Sequence, residues 1–101
     1  MIARLWHGAV PADRSDAYLR YLEKTGVPGS RATPGNRGVY VLRRAEGEAA
    51  HFLSVSLWES LDAIRAFAGA DVEKARYYPE DLDDLLELEP AVTHYEVVAR
   101  P

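Results

Sequence analysis

Residues 58–78 read WESLDAIRAFAGADVEKARYY. Ser60 is placed to cap a helix by accepting a backbone N–H bond, and Leu61, Ile64, Phe67 and Ala68 then recur on one helical face. Gly69 ends that helix, because glycine readily takes the left-handed conformation that helix termini favour. Beyond it, Asp71 is expected to open a second short helical turn that carries Ala75 and delivers Tyr77 and Tyr78. A strand-like run enters this segment from one side and an acidic run leaves it on the other, so a pocket is expected here.

Upstream, Val39–Arg44 and Ala49–Trp58 read as two strands joined by AEGE, in which Gly47 supplies the positive φ of a hairpin. Side chains alternate along a strand, so His51, Leu53, Val55 and Leu57 share one face and Phe52, Ser54, Ser56 and Trp58 the other. The aliphatic set is expected to be core, and the mixed aromatic and hydroxyl set a partner surface or cavity wall. Further back, Ile2–Val10 is apolar on both faces, as a strand covered on both sides would be. Pro11 is expected to open a helix with Tyr18, Leu19 and Leu22 as its inner stripe, stopped by Gly26 and Pro28. The segment Gly26–Asn36, GVPGSRATPGN, reads as a long loop of the kind that can serve as a lid.

Downstream, PEDLDDLLELEP places Pro79 at a first helical position with acids behind it, which suits the positive end of a helix dipole. These acids read as a solvated helix face, since no histidine lies among them to favour a transition metal. No metal site is expected. Val92–Ala99 closes the chain as a final strand.

The chain has 101 residues, enough for one domain (1–101) and one core. Hydrophobic residues at 48% and charged residues at 28% fit ordinary globular material rather than a disordered or membrane-spanning chain. A net charge of −4 without a basic stripe argues against nucleic acid or an anionic membrane as partner. The sequence contains no cysteine, which leaves out disulfide and thiolate chemistry. The opening MIARLWHGAV is too short and too polar for a signal peptide, so a cytoplasmic location is expected.

The element order, strand, helix, strand, strand, helix, strand, is the split βαβ pattern of ferredoxin-like α+β folds with an antiparallel sheet. Two helical segments cover only one face of such a sheet. The other face, still apolar, is expected to pair with a second copy, a homodimer closed sheet to sheet over the ~800 Å² per partner of a stable interface.

WES followed by AIRAFAG, then EKARYY with PED and a closing HYEV, resembles the antibiotic biosynthesis monooxygenase domain family of dimeric α+β barrels. The resemblance runs from Ile2 to Ala99 and implies a dimer with one pocket per subunit between sheet and helices. It also implies one of several activities: cofactor-independent oxygenation of aromatic polyketides, quinol oxygenation, or haem degradation. Carried over from the haem degraders, the porphyrin-ruffling position falls on Phe67, the iron-ligand position on Tyr77, and a first-strand asparagine near Leu5 or Trp6. Tyrosine in place of histidine removes the neutral imidazole of that site, so haem degradation is the weaker expectation.

A cofactor-free oxygenase needs a base and donors that hold the resulting anion. His7 on the first strand and His94 on the last are candidate bases, sharing a site if they face the same way, with Tyr77 as a phenolic partner. Trp6, Trp58 and Phe67 offer an apolar wall for an aromatic ligand, joined by Tyr78. The expected function is therefore oxidation of a small aromatic or quinol-type molecule with no bound cofactor. The alternatives are a non-catalytic binding dimer of the same fold and a haem-binding protein.

Overall fold

The computed structural model describes residues 1–77 and 81–100. Four antiparallel strands, β1 (Ile2–Pro11), β2 (Asn36–Glu46), β3 (Ala49–Trp58) and β4 (Thr93–Glu96), form one sheet in the order β2-β3-β1-β4. The helices are α1 (Ser15–Lys24), α2 (Gly26–Ala32), α3 (Leu61–Ala68) and the single turn α4 (Asp81–Asp84). This is the ferredoxin-like α+β fold, with β1 hydrogen-bonded on both sides.

The hairpin turns on Gly47 (φ 59), the first of two turn residues, whose positive φ matches the right-handed twist of the flanking strands. Ser60 Oγ accepts from the Ala63 N–H at 3.1 Å and caps α3, which stops at Gly69 (φ 94). Ile64 is fully buried on the inner face of α3, whereas Leu61, expected beside it, is exposed at the helix start.

Four local expectations are corrected. Pro11 belongs to β1, and a short 3-10 turn, Ala12–Arg14, precedes α1. Gly26 and Pro28 do end α1, but the segment expected as a loop starts α2 at once. Pro28 sits in the first turn of that helix, where its missing N–H has no partner to lose, and Gly29 N donates to Thr25 O at 3.1 Å. The expected helical turn at Asp71 is a single tight turn, Lys74 N to Asp71 O at 3.2 Å, after which Lys74 bridges Ala91 as extended chain. The last strand is shorter than Val92–Ala99, spanning Thr93–Glu96 with one further bond from Val97 N to Met1 O. Pro79, expected to open the acidic helix, lies outside the described residues.

The register decides the two faces. Arg4, Trp6, Gly8 and Val10 of β1 point with Phe52, Ser54, Ser56 and Trp58 of β3 toward the helices, and the core is Val10, Tyr18, Ala50 and Phe52. The aliphatic set expected as core is on the opposite, uncovered face. There Leu53 and Val55 are half-buried, while Tyr40, Leu42 and Tyr95 are 62%, 49% and 58% exposed. Composition misleads here because a serine can be buried on the inner face once it is hydrogen-bonded: Ser56 Oγ accepts from Trp58 Nε1 at 2.8 Å. Among the described residues no helix is long and apolar enough to cross a membrane.

Candidate functional site

A cleft opens between the inner sheet face and the helices. Arg4, Trp6, Val41, Ser54 and Ser56 form its floor, and Tyr18, Leu22, Val27 and Ser30 of α1 and α2 one wall. Phe67, Arg76, Tyr77, Asp81 and Val92 form the other. Its free volume is about 80 Å³, roughly half the ~150 Å³ that houses a benzene ring in an enclosed cavity. A ring therefore does not fit wholly within the cleft as it stands.

Trp6 is aimed into the cleft by Gly8. A Cβ at position 8 would lie 2.4 Å from the Trp6 ring, so the missing side chain is what lets the indole lie flat along β1. Trp6 Nε1 donates to the Tyr77 hydroxyl at 3.1 Å, the two rings meet edge to face at 6.2 Å, and the hydroxyl in turn donates to Glu89 O at 2.6 Å. Partial burial raises the Tyr77 pKa above the ordinary phenol value, only partly offset by the Trp6 bond. Tyr77 is thus a neutral, fully engaged phenol that locks the indole.

Tyr18, fully buried, donates to Asp81 Oδ1 at 2.7 Å. Burial first, and then the bond to that carboxylate, raises the Tyr18 pKa far beyond its usual value. Asp81 is itself 4% exposed and is the one carboxylate among the described residues lining the cleft. Arg4, 5% exposed, donates through Nη1 to Val72 O and through Nη2 to Lys74 O at 3.1 Å, and its Nη1 lies 3.2 Å from His94 Nε2. Burial lowers the Arg4 pKa. His94 is lowered by burial and then by the Arg4 charge, against a smaller opposing effect of Glu73. Its ring is neutral and Nε2 accepts from the guanidinium.

The two candidate histidines do not share a site. Strand β4 pairs His94 with Arg4 on the helix side, whereas His7 pairs with Leu53 and faces the uncovered side. There His7 Nδ1 contacts the Glu89 carboxylate and Nε2 lies 2.9 Å from His51 Nδ1. The parity of positions 4, 6 and 7 on β1 separates them, and only the β1–β4 register relates that parity to His94. Trp58 is fully buried behind Phe67, ring centroids 5.6 Å apart, and does not line the cleft. Trp6, Phe67 and Tyr77 do line it, and Tyr78 lies outside the described residues. Sequence reasoning missed Arg4, Tyr18, Arg76 and Asp81. Arg4 alone carried a signal, a charge at an inner position of an otherwise apolar strand. Among the described residues no group of three or more His, Cys, Asp or Glu side chains is arranged so that it could hold a metal ion.

The sequence profile described as antibiotic biosynthesis monooxygenase matches residues 1–76. Among solved structures, a candidate antibiotic biosynthesis monooxygenase from Nitrosomonas europaea is similar, with TM-score 0.72 and 16% identity over 98% of this chain and 100% of that one. The haem degrader MhuD of Mycobacterium tuberculosis, with two haems bound in its active site, superposes with TM-score 0.66 and 23% identity over 100% of this chain and 99% of its own. A third, Rv0793 of M. tuberculosis, gives 0.61 and 18% over 98% and 96%. At these identities the likeness is one of fold. No curated protein matches the sequence.

Proposed function

The chain belongs to the antibiotic biosynthesis monooxygenase family, and from that premise we propose that it oxygenates a small aromatic or quinol-type molecule held in this cleft without a bound cofactor. The observation that carries the proposal is that one cleft brings the aromatic surfaces of Trp6 and Phe67 together with the carboxylate of Asp81. A flat ligand stacks on or edges against those rings, and Asp81 is the group placed to accept its proton. The substrate anion then passes one electron to dioxygen, the two radicals combine to a hydroperoxide, and loss of water leaves a carbonyl. The sum is CH2 + O2 → C=O + H2O. Tyr77 acts in this reading as the clamp that fixes Trp6, and His94 as a positioning group beside Arg4 rather than the base.

Haem, which the MhuD structure contains, does not fit the residues present. The position that would ligate iron is Tyr77, whose hydroxyl already accepts from Trp6 and donates to Glu89 O. Deprotonating it to a phenolate ligand works against its raised pKa.

A second reading, a non-catalytic binding protein, is favoured by one observation, that neither His7 nor His94 lines the cleft. Oxygen uptake with a panel of anthrones and quinols separates the two. Turnover that falls at least tenfold in Asp81→Asn, with thermal stability retained, supports the oxygenase; binding of the panel without uptake leaves the binder. Added hemin is expected to keep the spectrum of free hemin.

A further inference from the structure

Among the described residues, the buried cation Arg4 has no counter-ion. The residue is 5% exposed, and its hydrogen-bond partners are neutral: the carbonyls of Val72 and Lys74 and the ring of His94. Withdrawing a guanidinium from water without an opposing charge costs several kcal/mol, and proteins usually pair such a group with a carboxylate. Here, among the described residues, none lies within ion-pair distance of it. The one cleft carboxylate, Asp81, is engaged by the Tyr18 hydroxyl. Arg4 nevertheless reaches the cleft surface on its floor, and Arg76, whose guanidinium sits 5.0 Å over the Phe67 ring, stands at the wall. Among the described residues, the cleft lining thus holds the buried guanidinium of Arg4 on its floor and a second guanidinium, Arg76, on its wall. Three of the five Arg4 N–H groups are used by the bonds above, and a guanidinium fork matches a carboxylate or an enolate oxygen better than a point charge does.

We propose that Arg4 is the anion-recognition residue of the cleft, so that the ligand is an aromatic acid or an ionised phenol rather than a neutral ring, with the accepting nitrogen of His94 fixing the guanidinium fork. The proposal rests on the cleft being the ligand site, as in the preceding reading, but not on turnover. A bound anion supplies the charge the site lacks, and the low local dielectric makes that contact worth more than it would be in water. In the oxygenase the same contact stabilises the anion that reduces dioxygen.

The test is binding, read by tryptophan fluorescence and thermal shift on the full chain with benzoate against its neutral isostere benzamide. Wild type is expected to prefer benzoate by about tenfold or more, the least that a hydrogen bond to a charged group contributes. Arg4→Gln is expected to bring the two ligands within about twofold, the discrimination lost with the charge. His94→Gln is expected to reduce benzoate affinity while leaving benzamide unchanged, a split that general destabilisation would not produce. Equal binding of the two ligands by wild type overturns the proposal, whatever the variants do, and so does failure of both to bind. An Arg4→Gln protein that keeps the preference overturns it as well. Anion preference without oxygen uptake would sink the oxygenase reading and leave this one standing.

Discussion

Single residues here carry consequences out of proportion to their size. Tyr18 is the clearest case, because its hydroxyl is both buried and bonded to a buried carboxylate. Tyr18→Phe removes that bond and is expected to cost about 1.5–3 kcal/mol, the range for hydrogen bonds to charged groups, measured by urea unfolding at pH 7. The same residue sets the alkaline limit. Its folded pKa is raised, so above the ordinary phenol value of ~10 the unfolded chain loses the proton while the folded chain keeps it. Stability is therefore unaffected by this group at neutral pH and falls as pH rises past ~10. The Phe variant, less stable at pH 7, is expected to show a flatter decline over that alkaline range; an identical decline would mean that Tyr18 is not the titrating group.

At the scale of elements, the Trp6 ring can lie where it does because β1 presents a glycine where a side chain would otherwise stand. Gly8 lies under the Trp6 ring and near Leu85 just past α4, with Cβ clearances of 2.4 Å and 2.9 Å. Gly8→Ala is expected to push the indole off its bond to Tyr77, destabilising the protein by the ~1–3 kcal/mol typical of overpacking and shifting the tryptophan emission. An alanine tolerated with no spectral change would show that Trp6 is not held by this contact. Element identity was less legible than element position. The segment Gly26–Ala32 has the composition of a loop, yet Pro28 falls in the one helical turn where proline is tolerated, and Val27 and Ser30 of that helix supply part of the cleft wall. Conversely, the residues after Asp71 had helical spacing, but the bridge between Lys74 and Ala91 draws them into extended chain. Local preference yields there to a tertiary pairing.

At the scale of the whole molecule, the helices among the described residues lie on one side of the sheet. The other side bears Leu42, Leu53, Val55 and Leu57 between Tyr40 and Tyr95, an apolar surface of the kind that monomers seldom leave open. A homodimer closing these faces is the expected state, and light scattering should return a mass about twice the 11.3 kDa of one chain. Leu53→Glu places a charge at the centre of that surface and is expected to yield monomer at micromolar concentration with the cleft intact. A wild-type monomer under the same conditions would remove the dimer. The contact among His7, His51 and Glu89 lies on this same side, which is why His7 belongs with the uncovered face and not with the cleft.

The order of the strands with α1 and α3 between them, the cap at Ser60, the stop at Gly69 and the hairpin at Gly47 follow from residue types acting over a few positions, and sequence alone determined them. It also singled out Trp6, Phe67 and Tyr77, which line the cleft, together with Trp58, which is buried behind Phe67 instead. Which way each strand turned its faces was left to tertiary structure. Alternation fixes that two sets of side chains oppose each other, but only pairing with β1 and the arrival of the helices decide which set is buried. For the same reason the separation of His7 from His94, and the meeting of Arg4 with His94 and of Tyr18 with Asp81, 63 positions apart, depend on register and packing between segments distant in the chain, and no local spacing records them.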